Sequence, residues 1–94
     1  MSRILIAEDD KEICQILTDF LESYNYKTVC CFSGTDVLSV FNQESFDLVV
    51  LDLMLPYVSG EEILCKIRKF SDIPIIIVSA KDLVLTKVEL LRLG

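Results

Sequence analysis

Apolar and polar positions alternate along the chain in two rhythms. Arg3 to Ala7 is a short apolar run of strand length. Ile13, Ile16, Leu17, Phe20 and Leu21 then recur at helical spacing, forming one apolar stripe, and Asn25 suits the left-handed residue that stops a helix. Tyr26 to Cys31 is rich in β-formers and predicts a second strand. Ser33 opens a second helix, with Asp36 in capping-box position and Phe32 and Val37 placed as a hydrophobic staple. Asp47 to Leu51 predicts a third strand. Ser59, Glu62, Val58 and Ile63 repeat the same start signals, and Ile63, Leu64, Ile67 and Phe70 mark that helix's buried face. Ile73 to Val78 predicts a fourth strand, with Pro74 tolerable near its start. Leu83 to Leu93 predicts a fourth helix, with Gly94 as its C-cap. Strands alternating with helices imply an α/β fold: a parallel sheet with right-handed crossovers and helices on both faces.

Composition narrows the picture. The 94 residues suffice for one small domain, 1–94. Hydrophobic residues make up 52 %, which strands buried on both faces explain. No apolar run approaches the roughly 18 residues of a membrane span, and the start lacks the long apolar stretch of a signal peptide. These features predict a cytoplasmic protein that does not engage a membrane. A net charge of −6 disfavours non-specific nucleic-acid binding and suits a site that holds a cation. Cys14, Cys30, Cys31 and Cys65 lack zinc-site spacing, and adjacent Cys30 and Cys31 point to opposite faces of a strand. They are expected as small buried hydrophobes. With no histidine, His-based triads and phosphohistidine chemistry on this chain are excluded.

In an open α/β sheet, ligands bind beyond the carboxyl ends of the strands, where strand order reverses. The first strand ends in Glu8-Asp9-Asp10, the third in Asp52 and the fourth in Ser79-Ala80. With the first and third strands adjacent, Glu8, Asp9 and Asp52 come together. Two carboxylates about 4 Å apart repel by roughly 4 kcal/mol at an effective dielectric near 20. Such a cluster protonates or recruits a cation, and oxygen-only ligands suit Mg²⁺. A carboxylate also attacks phosphoryl groups to form an acyl phosphate. The Ser79 hydroxyl and the Ala80 backbone N–H are placed to hold phosphoryl oxygens. Asp10 fits a helix cap better than a ligand. Glu8 and Asp9 fit either ligands or partners of the first helix's N-terminus. Asp52, following the buried run Leu48 to Leu51, is harder to explain structurally.

Ile4 to Asp10, Asp47 to Pro56 followed by Ser59-Gly60, Pro74 to Lys81, and Lys87 to Gly94 together resemble response-regulator receiver domains of two-component signalling. The resemblance covers the whole chain and is closest to regulators whose second domain is a DNA-binding winged helix. It implies a flavodoxin-like doubly wound sheet with strand order 2-1-3-4. Asp52 is then the acceptor phosphorylated by a partner histidine kinase. Asp9, Asp52 and the Met54 backbone carbonyl ligate Mg²⁺, and Glu8 assists through water. Ser79 bonds a phosphoryl oxygen and moves on activation, and the Ala80 N–H bonds another oxygen.

Receiver domains continue into a fifth strand, which brings a phosphate-binding lysine, and a fifth helix. The sequence stops at Gly94, and neither Lys81 nor Lys87 occupies that lysine's place. This predicts an exposed apolar edge along Ile75 to Val78 and self-association through it or through swapped elements. DNA contact is expected only through an output domain outside these residues. The alternative reading is a receiver-shaped interaction or dimerisation module that takes no phosphoryl group. An aspartate-nucleophile phosphatase would carry a second Asp where Met54 stands. A flavodoxin would need a glycine- and hydroxyl-rich loop where Glu8-Asp9-Asp10 stands.

Overall fold

A computed structural model of the protein describes residues 2–53 and 55–78. The chain runs β1 (Arg3–Ala7), α1 (Lys11–Glu22), β2 (Lys27–Cys31), α2 (Gly34–Gln43), β3 (Leu48–Asp52), α3 (Gly60–Arg68) and β4 (Ile75–Val78). The expected helix from Leu83 to Leu93 with its Gly94 cap, and Met54, Ser79, Ala80, Lys81 and Lys87, lie outside the described residues.

The strands pair in parallel in the order β2-β1-β3-β4, as expected. One face packs Leu5, Val49, Leu51, Ile75 and Ile77 against Val37 of α2 and Ile63 and Ile67 of α3. The other packs Ile4, Ile6 and Val50 against Cys14 of α1, with Leu17 and Leu21 alongside. Covered on both faces, the central strands β1 and β3 carry the unbroken apolar runs. At the outer strand β4, Ile75 and Ile77 are buried while Ile76 is 39 % exposed. Burial pushes the Cys14 thiol up to about 12 and the Cys31 thiol to about 11, so both stay uncharged within the core at neutral pH.

Side-chain caps start all three described helices where the sequence places them. Asp10 Oδ1 accepts from the N–H groups of Glu12 (2.9 Å) and Ile13 (3.3 Å). Ser33 Oγ accepts from the Asp36 N–H at 3.3 Å, and Ser59 Oγ from the Glu62 N–H at 3.2 Å. After α1, Asn25 takes φ 71°. Its N–H donates to the Glu22 carbonyl (2.9 Å), and the Tyr26 N–H donates to the Leu21 carbonyl (3.2 Å), forming a Schellman motif.

Four expectations are corrected. Of the four cysteines expected as buried hydrophobes, only Cys14 and Cys31 are buried; Cys30 is half-buried near the end of β2, and Cys65 lies on the exposed side of α3. Tyr26 belongs to the Schellman motif, so β2 begins one residue later, at Lys27. Phe70 is 83 % exposed rather than buried, because α3 ends at Arg68 and helical spacing no longer governs the turn that follows. Ile16 and Phe20 are 66 % and 58 % exposed: α1 turns Cys14, Leu17 and Leu21 toward the sheet, leaving two of the five residues of the predicted stripe outside. Phe20 instead meets Tyr24 edge to face at 5.2 Å. Among the described residues, no helix is long and apolar enough to cross a membrane.

Candidate functional site

β1 connects to β2 on one side of the sheet, and β3 to β4 on the other, so the chain reverses direction between β1 and β3. A crevice opens there at the carboxyl ends of the strands. The register pairs Ala7 with Leu51, one residue short of Glu8 and Asp52. The Glu8 N–H extends the β1–β2 ladder by donating to the Cys31 carbonyl at 3.0 Å, which ties Glu8 to the sheet's edge. Asp9 follows at the surface, while Glu8 and Asp52 are 2 % and 3 % exposed. One carboxylate oxygen from each of Glu8, Asp9 and Asp52 lies within 4.8 Å of the other two. The three acids predicted to meet are therefore together. Asp10 is the α1 cap, and its N–H donates to Glu8 Oε2 at 3.1 Å.

Two buried acids this close do not both ionise easily. Burial, foremost, pushes Glu8 up to about 8, against the pull of the Asp10 N–H, and the Asp52 and Asp9 carboxyls raise it further through hydrogen bonds and charge. Glu8 thus keeps its proton at neutral pH and shares it with its neighbours. The cluster is short of positive charge. Its donors are all hard oxygens, and exposed Asp9 leaves solvent access for the water ligands that Mg²⁺ retains. This donor set fits a divalent cation.

The acceptor-side backbone is positioned by a contact that the linear pattern does not reveal. The Gly60 N–H donates to the Leu53 carbonyl at 3.0 Å, bringing the start of α3 against the end of β3. A Cβ on Gly60 would stand 2.5 Å from both the Asp52 carbonyl oxygen and Leu53 Cα. The sequence marks Gly60 only as the residue after a cap. Between them, the Val58 N–H donates to the Pro56 carbonyl at 2.9 Å across Tyr57, whose φ is 72°. An i to i+2 bond with positive φ at the centre is a strained γ-turn. Ser79, Ala80 and Met54, predicted to complete the site, fall outside the described residues.

The family model of the response regulator receiver domain matches residues 4–94. The chain belongs to this family. The receiver domain is 44 % identical over 79 residues to the transcriptional regulatory protein BaeR of Escherichia coli, covering 84 % of this chain and 33 % of BaeR. It is 35 % identical over 92 residues to the regulatory protein VanRc of Enterococcus gallinarum, covering 98 % of this chain and 40 % of VanRc. It thus spans about a third to two fifths of the curated relatives it matches. Among solved structures, the receiver domain of a Francisella response regulator superposes with a TM-score of 0.85 at 35 % identity, covering 100 % of this chain and 78 % of that one. The response regulator TrrA of Thermotoga maritima, solved with Mg²⁺-BeF, gives 0.81 at 34 % identity, covering 85 % of this chain and 70 % of that one. TrrA has also been solved in complex with the histidine kinase ThkA.

Proposed function

We propose that this receiver domain is a phosphoacceptor switch in which Asp52 takes a phosphoryl group from a histidine kinase. The observation that carries this reading is Asp52 itself, buried at the end of β3 within a three-carboxylate cluster at the reversal point of the sheet. An Asp52 oxygen attacks phosphorus, the bond from phosphorus to the donor breaks, and an acyl phosphate forms. Glu8, Asp9 and Asp52, with the Met54 carbonyl, would hold Mg²⁺, which supplies positive charge against the phosphoryl oxygens. Asp52 would be both ligand and nucleophile, while Glu8 would act through water. The Ser79 hydroxyl and Ala80 N–H would receive the remaining oxygens, an assignment that rests on the family resemblance. TrrA, a relative solved with Mg²⁺-BeF and with a kinase, supports the cation and the partner.

On this reading residues 1–94 are a signalling domain rather than an enzyme acting on a separate substrate, and they work in the cytoplasm. BaeR and VanRc are regulatory proteins much longer than this chain, which supports an attached transcriptional output domain as the carrier of any DNA contact. The outer position of β4 in the described sheet supports self-association through that edge, read by concentration-dependent sedimentation.

The deciding experiment is incubation with Mg²⁺ and a small acyl phosphate, followed by intact mass measurement beside Asp52→Asn. Gain of one phosphoryl group by the parent alone is expected. No gain by protein shown to be folded would overturn the reading in favour of a receiver-shaped interaction module.

A further inference from the structure

Two cysteine side chains line one groove on the α1 side of the sheet. Cys14, one turn into α1, is buried, and Cys30, the penultimate residue of β2, is half-buried. Cys30 packs against the buried cluster that contains Cys14. Both line one groove of about 400 Å³, together with Lys11, Thr18 and Phe32. Their neighbours hold them in place: Thr18 Oγ1 is 3.3 Å from Cys30 Sγ, and Cys14 Sγ donates to the Glu8 carbonyl oxygen at 3.7 Å. Cys31 faces the opposite core with Leu5 and Ala7, and Cys65 is exposed on α3.

Two thiols facing one groove differ chemically from either thiol alone. A solitary sulfenic acid proceeds to irreversible oxidation, whereas one beside a second thiol condenses to a disulfide. The geometry points to a redox modification site in which Cys14 and Cys30 form a reversible disulfide when a hydroperoxide enters the groove. Cys30, the more open sulfur, attacks the peroxide's terminal oxygen. The O–O bond breaks, the leaving oxygen takes up the Cys30 thiol proton and departs as alcohol or water, and Cys30 becomes a sulfenic acid. Cys14 sulfur then attacks Cys30 sulfur, the S–O bond breaks, and hydroxide leaves as water with the Cys14 proton. Two thiols have lost two electrons, and the peroxide has gained them. The bridge ties α1 to β2 and withdraws the Cys14 S–H from the Glu8 carbonyl. Oxidation therefore reaches the backbone of the acidic cluster, although the bridge itself needs no phosphoryl chemistry.

The test uses a Cys65→Ser chain, which removes the exposed competing thiol. The reduced protein is treated with a small excess of hydrogen peroxide, alkylated under denaturing conditions, and examined by intact mass and non-reducing peptide mapping. The expected result is loss of two hydrogens and of two alkylatable thiols, a linked peptide joining Cys14 to Cys30, and full reversal by dithiothreitol. Adding Cys14→Ala should instead leave a Cys30 sulfenic acid that dimedone captures. Should that variant fail to fold, Cys30→Ser serves in its place and should abolish the bridge. Oxygen addition at Cys30 without a linked peptide, a link through Cys31, or unchanged thiols in folded protein would each overturn the proposal.

Discussion

Tyr57 and Gly60 show how single residues shape the acceptor loop in opposite ways. Tyr57 sits at φ 72° and is 89 % exposed, so its side chain contributes little packing to offset a left-handed backbone that costs an L-residue roughly 1–2 kcal/mol. Tyr57→Gly is expected to raise stability by about 1 kcal/mol or slightly less, since glycine's greater freedom in the unfolded chain cancels part of the gain. A higher urea midpoint at unchanged m-value would report it. Gly60 has no positive φ; its requirement is space, because a Cβ meets backbone that no rotamer change relieves. Gly60→Ala is expected to cost about 2 kcal/mol by overpacking, read from the same denaturation curves. Neither effect was legible in the sequence. Pro56-Tyr57-Val58 carries no glycine to announce a positive φ, and a glycine after a serine cap looks ordinary until β3 is brought beside it.

Among the elements, α1 is the clearest case of local pattern and tertiary context disagreeing. Its limits were legible, because caps depend on residues only a few positions apart: Asp10 at the start, Asn25 in the closing motif. Its orientation was not. Ile16, Phe20, Leu17 and Leu21 all fit one stripe, but a helix lying on a sheet buries a limited arc, and Cys14 takes the central place. The cap is testable separately from the charge. Asp10→Ala is expected to destabilise by about 1 kcal/mol, since the Glu12 and Ile13 N–H groups lose their acceptor. Asp10→Asn keeps the acceptor and removes a negative charge beside the acidic cluster, so it should be neutral or slightly stabilising. Thermal melts of the two variants at neutral pH distinguish the contributions. Equal losses would show that charge, not capping, is what Asp10 provides.

For the molecule as a whole, the acidic cluster links folding to pH and to divalent cations. Glu8 is raised from its ordinary 4.5 to about 8, so between these values the folded protein keeps a proton that the unfolded chain releases. That contribution to stability is complete below the unfolded value and is lost as pH rises toward 8, by at most about 1.4 kcal/mol per pH unit. Glu8→Gln is expected to flatten this decline in chemical denaturation series. Mg²⁺ is expected to raise the melting temperature more at about pH 8 than at about pH 5.5, where protons already neutralise the site. The sequence by itself determined the strand and helix order, the parallel sheet, the helix starts and the placement of Glu8, Asp9 and Asp52 at strand ends. Each follows from periodicity or from side chains meeting backbone a few residues away. Only the tertiary structure decided that Ile16, Phe20 and Phe70 face outward, that Glu8 retains a proton, that Gly60 abuts Asp52, and that Cys14 and Cys30 share one groove. These depend on distances between segments remote in the chain, and on the solvent that their packing removes, which local spacing does not encode.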